Sequence, residues 1–145
     1  MKRKTTHELS ETLGKASSTP DLTKYLKNLN DGNAAFENFH DFFLSLPEVK
    51  KYSFSELIRR SGIERTYFYQ IMNGKRKPGR DKVLILCLAA GLSLDETQHA
   101  LACGQHSLLY VRNRRDAVLV FALNNQLSVQ DTQELLSEFH EKILE

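Results

Sequence analysis

Two short helices hinged on a single glycine are written into residues 53–78, and a turn this tight fixes how the rest of the chain must pack around them. Ser53, followed three residues later by Glu56, forms the pattern of a capping box. It satisfies two orphan backbone N–H groups and predicts a helix from about Phe54 to Arg60. Gly62 supplies the backbone freedom for the turn, and Ile63 places an apolar residue between the two helices. The second helix is predicted from about Glu64 to Asn73, with Asn73-Gly74 ending it through a left-handed residue.

Placed on a helical wheel, Arg65, Thr66, Tyr69, Gln70 and Asn73 fall within an arc of about 140°, while Phe68 and Ile71 fall on the opposite side. One face buries an aromatic ring and a branched aliphatic. The other offers the donor and acceptor types that read base edges in a major groove. An amphipathic surface helix has a polar face in any case, but the flank here is distinctive. Lys75, Arg76 and Lys77 follow directly, then Pro78 and Arg80, and cations just beyond such a helix are placed to meet phosphates. Glu64 at the helix start either caps it or accepts from a cytosine amine.

The run Asn73-Gly74-Lys75-Arg76-Lys77-Pro78, together with the spacing around Gly62, resembles the Cro/cI-like (XRE-type) helix-turn-helix regulators of bacteria and phages. The resemblance covers about residues 34–104. It implies an all-α fold, and it places base contacts on Arg65, Thr66 and Gln70, with Glu64 and Tyr69 as neighbours. Asn73 and Lys75 match backbone-contacting positions. Two residues depart from the family pattern. Phe54 stands where a phosphate-bonding glutamine is frequent, and Ile58 replaces a small alanine, which implies wider packing of the two helices.

Charge is segregated along the chain. Residues 48–82 hold ten Lys or Arg against four acids, whereas residues 83–145 hold four basic against eight acidic groups. The net +2 of the whole chain therefore hides a cationic field over the proposed reading unit.

The C-terminal half repeats itself at an offset of 35 residues: Arg80-Asp81-Lys82-Val83-Leu84 matches Arg115-Asp116-Ala117-Val118-Leu119, and ten of 22 aligned residues are identical. Each copy reads as a helix, a turn, a capping serine and a second helix, which predicts similar hairpins over residues 80–103 and 115–144. The second hairpin must bury Val118, Leu119, Phe121, Ala122, Leu135, Leu136, Phe139 and Ile143. It does so either by capping the first hairpin or by meeting another subunit as a homodimer. In a two-fold dimer, half-sites lie about one helical turn, roughly 34 Å, apart. Arg112, Arg114 and Arg115 in the joining segment are expected to pair with Asp116, Glu134 and Glu138 rather than touch DNA.

The expected organisation is therefore all-α: a basic Ser/Thr-rich disordered tail over 1–19, a short helix and linker over 20–33, a helix-turn-helix domain over 34–104 and a hairpin over 105–145. Leu22, Tyr25, Leu26 and Leu29 give the short helix its apolar stripe. Phe36, Phe39, Phe43 and Leu44 do the same for a helix over about Ala34 to Leu46, as core packing. Cys87 and Cys103 have no paired spacing and no apolar run reaches a bilayer span, which points to a reducing cytoplasmic home without membrane attachment.

Catalysis has little in its favour. The five histidines are scattered, no phosphate-cradling glycine loop is present, and Cys103 with His106 lacks the further ligands that tetrahedral zinc needs, so no cofactor and no metal are expected. The expected function is sequence-specific binding of double-stranded DNA in transcription regulation. Arg65, Thr66, Tyr69 and Gln70 read bases, and Asn73, Lys75, Arg76, Lys77 and Arg80 hold phosphates. The rival is a protein-interaction adaptor that keeps the helix-turn-helix as scaffold. It would act through the acidic second hairpin, or through tail residues such as Thr5, Ser10 and Ser17 as targets of a kinase.

Overall fold

The computed structural model describes residues 38–145, and among these the fold is all-helical, with eight helices and no strand. The predicted tail over 1–19, the helix over 20–29 and Phe36 lie outside the described residues.

The first helix, α1 (Phe39–Ser45), buries Phe39, Phe42 and Phe43. It stops earlier than the sequence implied because Leu46 precedes Pro47, and the proline ring disfavours helical backbone in the residue before it. Leu46 is accordingly extended, at φ −78° and ψ 134°. Pro47 then opens a single turn, α2 (Pro47–Lys50), where its missing N–H costs nothing.

The glycine-hinged pair follows its local signals closely. Helix α3 (Phe54–Ser61) starts at the Ser53 capping box, with the Ser53 Oγ accepting from Glu56 N at 3.1 Å and Ser53 N donating to Glu56 Oε1 at 3.2 Å. Gly62, at φ 71°, ends it in the left-handed region. Helix α4 (Arg65–Met72) is capped by Glu64 and closed by Asn73 and Gly74, the latter at φ 82°.

Helix α5 (Arg80–Ala90) is buried continuously from Val83 to Ala90 because α3 lies across one side and the later helices across the other. Helix α6 (Leu94–Cys103) begins at a second capping box, Ser93 with Glu96, and α1 packs on it, with the Phe42 and His99 rings 4.2 Å apart. The second hairpin consists of α7 (Arg114–Asn124) and α8 (Val129–Glu138). It packs on the first, so Leu119, Ala122, Leu123 and Leu136 share one core with Leu84, Leu86 and Leu101. Of the residues predicted to be buried there, Phe121, Phe139 and Ile143 are instead exposed, because nothing covers the outer side of this hairpin among the described residues.

The repeat extends further than the matching residues. Gln98 clamps the backbone of Leu109 through two hydrogen bonds, of 3.0 and 2.7 Å, and Gln133 clamps Leu144 in the same way at 2.8 and 2.7 Å. Thr97 and Thr132 each donate to the carbonyl of their own capping serine at 2.8 Å. The two copies also exchange contacts reciprocally: Arg80 pairs with Asp116, and Arg115 pairs with Asp81, each with a shortest approach of 2.9 Å. Such an exchange is the signature of two units related by a two-fold axis. The expectation that Arg115 pairs with acids of its own hairpin is thus corrected. Arg115 reaches the facing acid of the other copy, and Arg114 reaches Glu141 at 3.3 Å, because the axis brings Asp81, and the turn after α8 brings Glu141, closer than Glu134 or Glu138.

Candidate nucleic-acid interface

The buried side of α4 is set by Phe68, Ile71 and Met72, and Phe68 is fully enclosed. Burying a side chain of that size stabilises by roughly 1.5–3 kcal/mol, which fixes the roll of the helix about its axis. With that roll, Arg65, Thr66, Tyr69 and Asn73 are exposed and Gln70 is half-buried. The five side chains that the wheel placed on one arc do share the solvent side of α4.

Tyr69 is braced there by aromatic neighbours. Its ring meets Phe54 edge-on at 5.5 Å and Phe68 at 6.0 Å, and Phe54 meets Phe68 at 5.2 Å. Edge-to-face pairs of this kind add about 0.5–1.5 kcal/mol each beyond burial. Phe54 therefore has a packing role, bracing Tyr69 against Phe68.

Glu64 caps α4, with its carboxylate accepting from Tyr67 N at 2.8 Å. Hydrogen bonds from the backbone N–H groups of Tyr67 and Thr66, and from the Thr66 hydroxyl, hold that carboxyl below the usual glutamate range. A carboxylate so engaged has less capacity left for a base amine.

Beyond α4 the backbone folds back tightly. Gly74 N donates to Ile71 O, Arg76 N donates to Gln70 O at 3.1 Å, and the Asn73 carboxamide oxygen accepts from Lys75 N at 3.0 Å. Asn73 thus builds the turn that carries the cations. Lys75, Arg76 and Lys77 are exposed and, among the described residues, form no ion pair. Three free cations next to the polar arc of α4 make the joined surface complementary to a polyanion.

Arg80 does not belong to that set. Its guanidinium donates to Ser107 O, Leu108 O and both carboxylate oxygens of Asp116, at 2.9 to 3.2 Å. These four bonds occupy the planar fork that a phosphate would need. Arg80 is a tie between the two hairpins.

His40 escaped notice in the sequence, where the histidines look scattered. Its ring covers Gly74 so closely that a Cβ added there would lie 2.9 Å from it. A cavity of about 120 Å³ opens beside this contact, lined by Asn38, His40, Gly74, Arg76, Lys77 and Gln105 among others. No local pattern signals the contact, since it joins residues far apart in the chain.

Cys87 is fully buried, which pushes its thiol up to about 12 and leaves it unreactive at neutral pH. Among the described residues no group of three or more His, Cys, Asp or Glu side chains converges as metal ligands do. No helix among them is long and apolar enough to cross a membrane. No known family pattern, no curated protein and no solved structure matches this chain.

Proposed function

We propose that this chain is a sequence-specific regulator that binds double-stranded DNA through a Cro/cI-like helix-turn-helix, with α3 and α4 as the two helices and α4 lying in the major groove. The observation that carries this reading is the continuity of one surface. The exposed arc of α4 runs directly into Lys75, Arg76 and Lys77 on the Asn73-Gly74 turn, which form no ion pair among the described residues. Arg65 suits guanine O6 and N7, and Gln70 suits the adenine edge, each by two parallel hydrogen bonds. Thr66 and Tyr69 supply further contacts to base edges, and the three loop cations with Asn73 set the register on phosphates.

The test is selection of binding sites from a random duplex pool by the full chain at near-physiological salt, where purely electrostatic attraction is weak. Enrichment of a defined sequence supports the reading. Weak, salt-sensitive binding without enrichment removes it and favours the adaptor reading, whose own support is the exposed Phe121 and Phe139 on the acidic second hairpin.

A further inference from the structure

Two of the cations after α4 also border a recess. Arg76 and Lys77, both exposed, stand at the mouth of the cavity of about 120 Å³ that lies between the start of α1, the loop after α4 and the end of α6. Its inner lining is apolar, since Phe39, Ile71 and Pro78 are all buried there. Its rim is polar, and none of the described residues that line it is acidic. The His40 ring forms one wall. Asp41 Oδ1 lies 3.4 Å from the His40 Nε2, and the ring covers Gly74, where a Cβ would come within 2.9 Å of it. The loop on the facing side is held by the Arg76 N–H, which donates to Gln70 O at 3.1 Å. Neither Arg76 nor Lys77 forms an ion pair among the described residues. An apolar recess with uncompensated cations at its mouth matches an organic anion, whose body leaves water while its head meets the charges.

We propose that this cavity binds a small organic carboxylate with a compact apolar body, and that its occupation weakens DNA binding. The second half of the proposal rests on the DNA-binding reading; the first does not. Size limits the ligand. About 120 Å³ is the share of roughly four water molecules, and it falls well below the roughly 300 Å³ at which sites for drug-sized ligands begin. A nucleotide is therefore too large, and a single ring or a short chain is the right scale. The head group follows from the cations. The Arg76 guanidinium is a planar fork that matches the two oxygens of a carboxylate, and Lys77 adds a point charge beside it. The body packs on Phe39 and Ile71. In the proposed DNA mode the same two cations hold phosphates, so ligand and duplex compete for them. By linkage, each weakens the other by the same factor. Lys75 lies outside the cavity lining and stays available to DNA, so occupation reduces binding without abolishing it.

The deciding experiment is calorimetric titration of the full chain with benzoate, with no DNA present and the ionic strength held constant with sodium chloride. Benzoate should bind with a dissociation constant on the order of 1 mM or below. Benzamide, which keeps the ring and lacks the charge, and inorganic phosphate, which is a head without a body, should each bind about tenfold more weakly or not at all. Arg76→Ala and Lys77→Ala should each weaken benzoate about tenfold, as loss of a charge-assisted hydrogen bond does. Arg112→Ala removes an exposed cation elsewhere and should leave benzoate binding unchanged. All three side chains are exposed, so circular dichroism melts should match wild type. In a second arm, saturating benzoate should raise the duplex dissociation constant about fivefold or more. No benzoate binding, or binding that Arg112→Ala weakens as much as Arg76→Ala does, overturns the site. Phosphate or benzamide bound as tightly as benzoate overturns the carboxylate with its apolar body, and bound benzoate that leaves duplex affinity unchanged overturns the regulation. The first arm is read without DNA, so its failure leaves base reading untouched. A chain that takes up benzoate yet binds no duplex sinks base reading and the regulation with it, while the site stands.

Discussion

Arg80 and Asp116 form two parallel hydrogen bonds, of 3.1 and 2.9 Å, and Arg115 with Asp81 repeats both distances on the other side of the hairpin pair. Each arginine also holds the chain that closes its own hairpin. Arg80 binds Ser107 O and Leu108 O, and Arg115 binds Lys142 O and Ile143 O. One side chain thus fastens a hairpin to its own tail and to its twin.

The two ties differ in surroundings and should differ in strength. The Asp116 side chain is 9% exposed and also accepts from Tyr110 N, whereas that of Asp81 is 24% exposed. Asp116→Ala strands Arg80 and a backbone N–H in a half-buried place. It should cost about 2–3 kcal/mol, somewhat below the roughly 3–5 kcal/mol of breaking a fully buried pair. Asp81→Ala should cost about 1 kcal/mol, because water reaches the groups it leaves behind. Denaturant unfolding of both variants checks the order, and equal losses would show that the two sites are solvated alike.

Two carboxyl groups predict opposite trends with pH. Burial works against the Asp81 carboxylate. Hydrogen bonds from Arg115 and from Glu145 N–H, with the Arg115 charge, outweigh it and hold the carboxyl below the usual aspartate range. Its contribution to stability is therefore present above the ordinary aspartate pKa and lost as the pH falls through the lowered value. Glu48 is pushed the other way, first by its hydrogen bond with Glu96 and then by burial and the Glu96 charge. Stability from protonated Glu48 is present in acid and lost as the pH rises through the raised value. Melting temperatures from neutral to acid pH should show Asp81→Asn below wild type at neutral pH and Glu48→Gln above it, with both gaps closing in acid.

The legible parts of this fold are those whose chemistry is local. Ser53 with Glu56, Glu64 before α4, and Asn73-Gly74 after it each act within a few residues, so spacing alone placed α3 and α4 to within a residue or two. The repeat was legible as identity at a fixed offset, and both arginine-aspartate pairs lay within the matching residues. Their partners were not, because nothing local says that two copies will face each other about an axis. Arg80 follows Lys75-Arg76-Lys77 in sequence and so read as another phosphate contact, yet it turns inward to Asp116. The exposure of Phe121 was hidden for the same reason. Its apolar stripe matches that of α5, and only tertiary structure decides which copy α3 covers.

Gly74 and Gly62 separate two costs that usually come together. Both adopt left-handed backbone, at φ 82° and φ 71°. A Cβ at Gly62 meets nothing within 4 Å, while one at Gly74 meets the His40 ring at 2.9 Å. Gly62→Ala should cost about 1–2 kcal/mol from backbone strain alone. Gly74→Ala should cost more, and combining it with His40→Ala should recover part of the excess. A double-mutant cycle measures that coupling, and strict additivity would mean that the ring yields freely.

The division of labour on DNA gives the sharpest contrast between variants. Arg65→Ala and Gln70→Ala each remove a group able to form two bonds to one base. Each should cost about 1–3 kcal/mol on the selected site and relax preference at one position. Lys75→Ala removes a cation that the proposed mode assigns to phosphate alone, so it should weaken selected and random duplexes alike and reduce the salt slope by about 1. Arg80→Ala should do neither in the folded protein, because its guanidinium is already bound to Asp116, Ser107 and Leu108. It should instead lower the melting temperature. Binding isotherms on selected and scrambled duplexes at several salt concentrations distinguish these outcomes. A salt slope that falls equally for Lys75→Ala and Arg80→Ala would mean that the tie to Asp116 opens on DNA and that Arg80 reaches a phosphate after all.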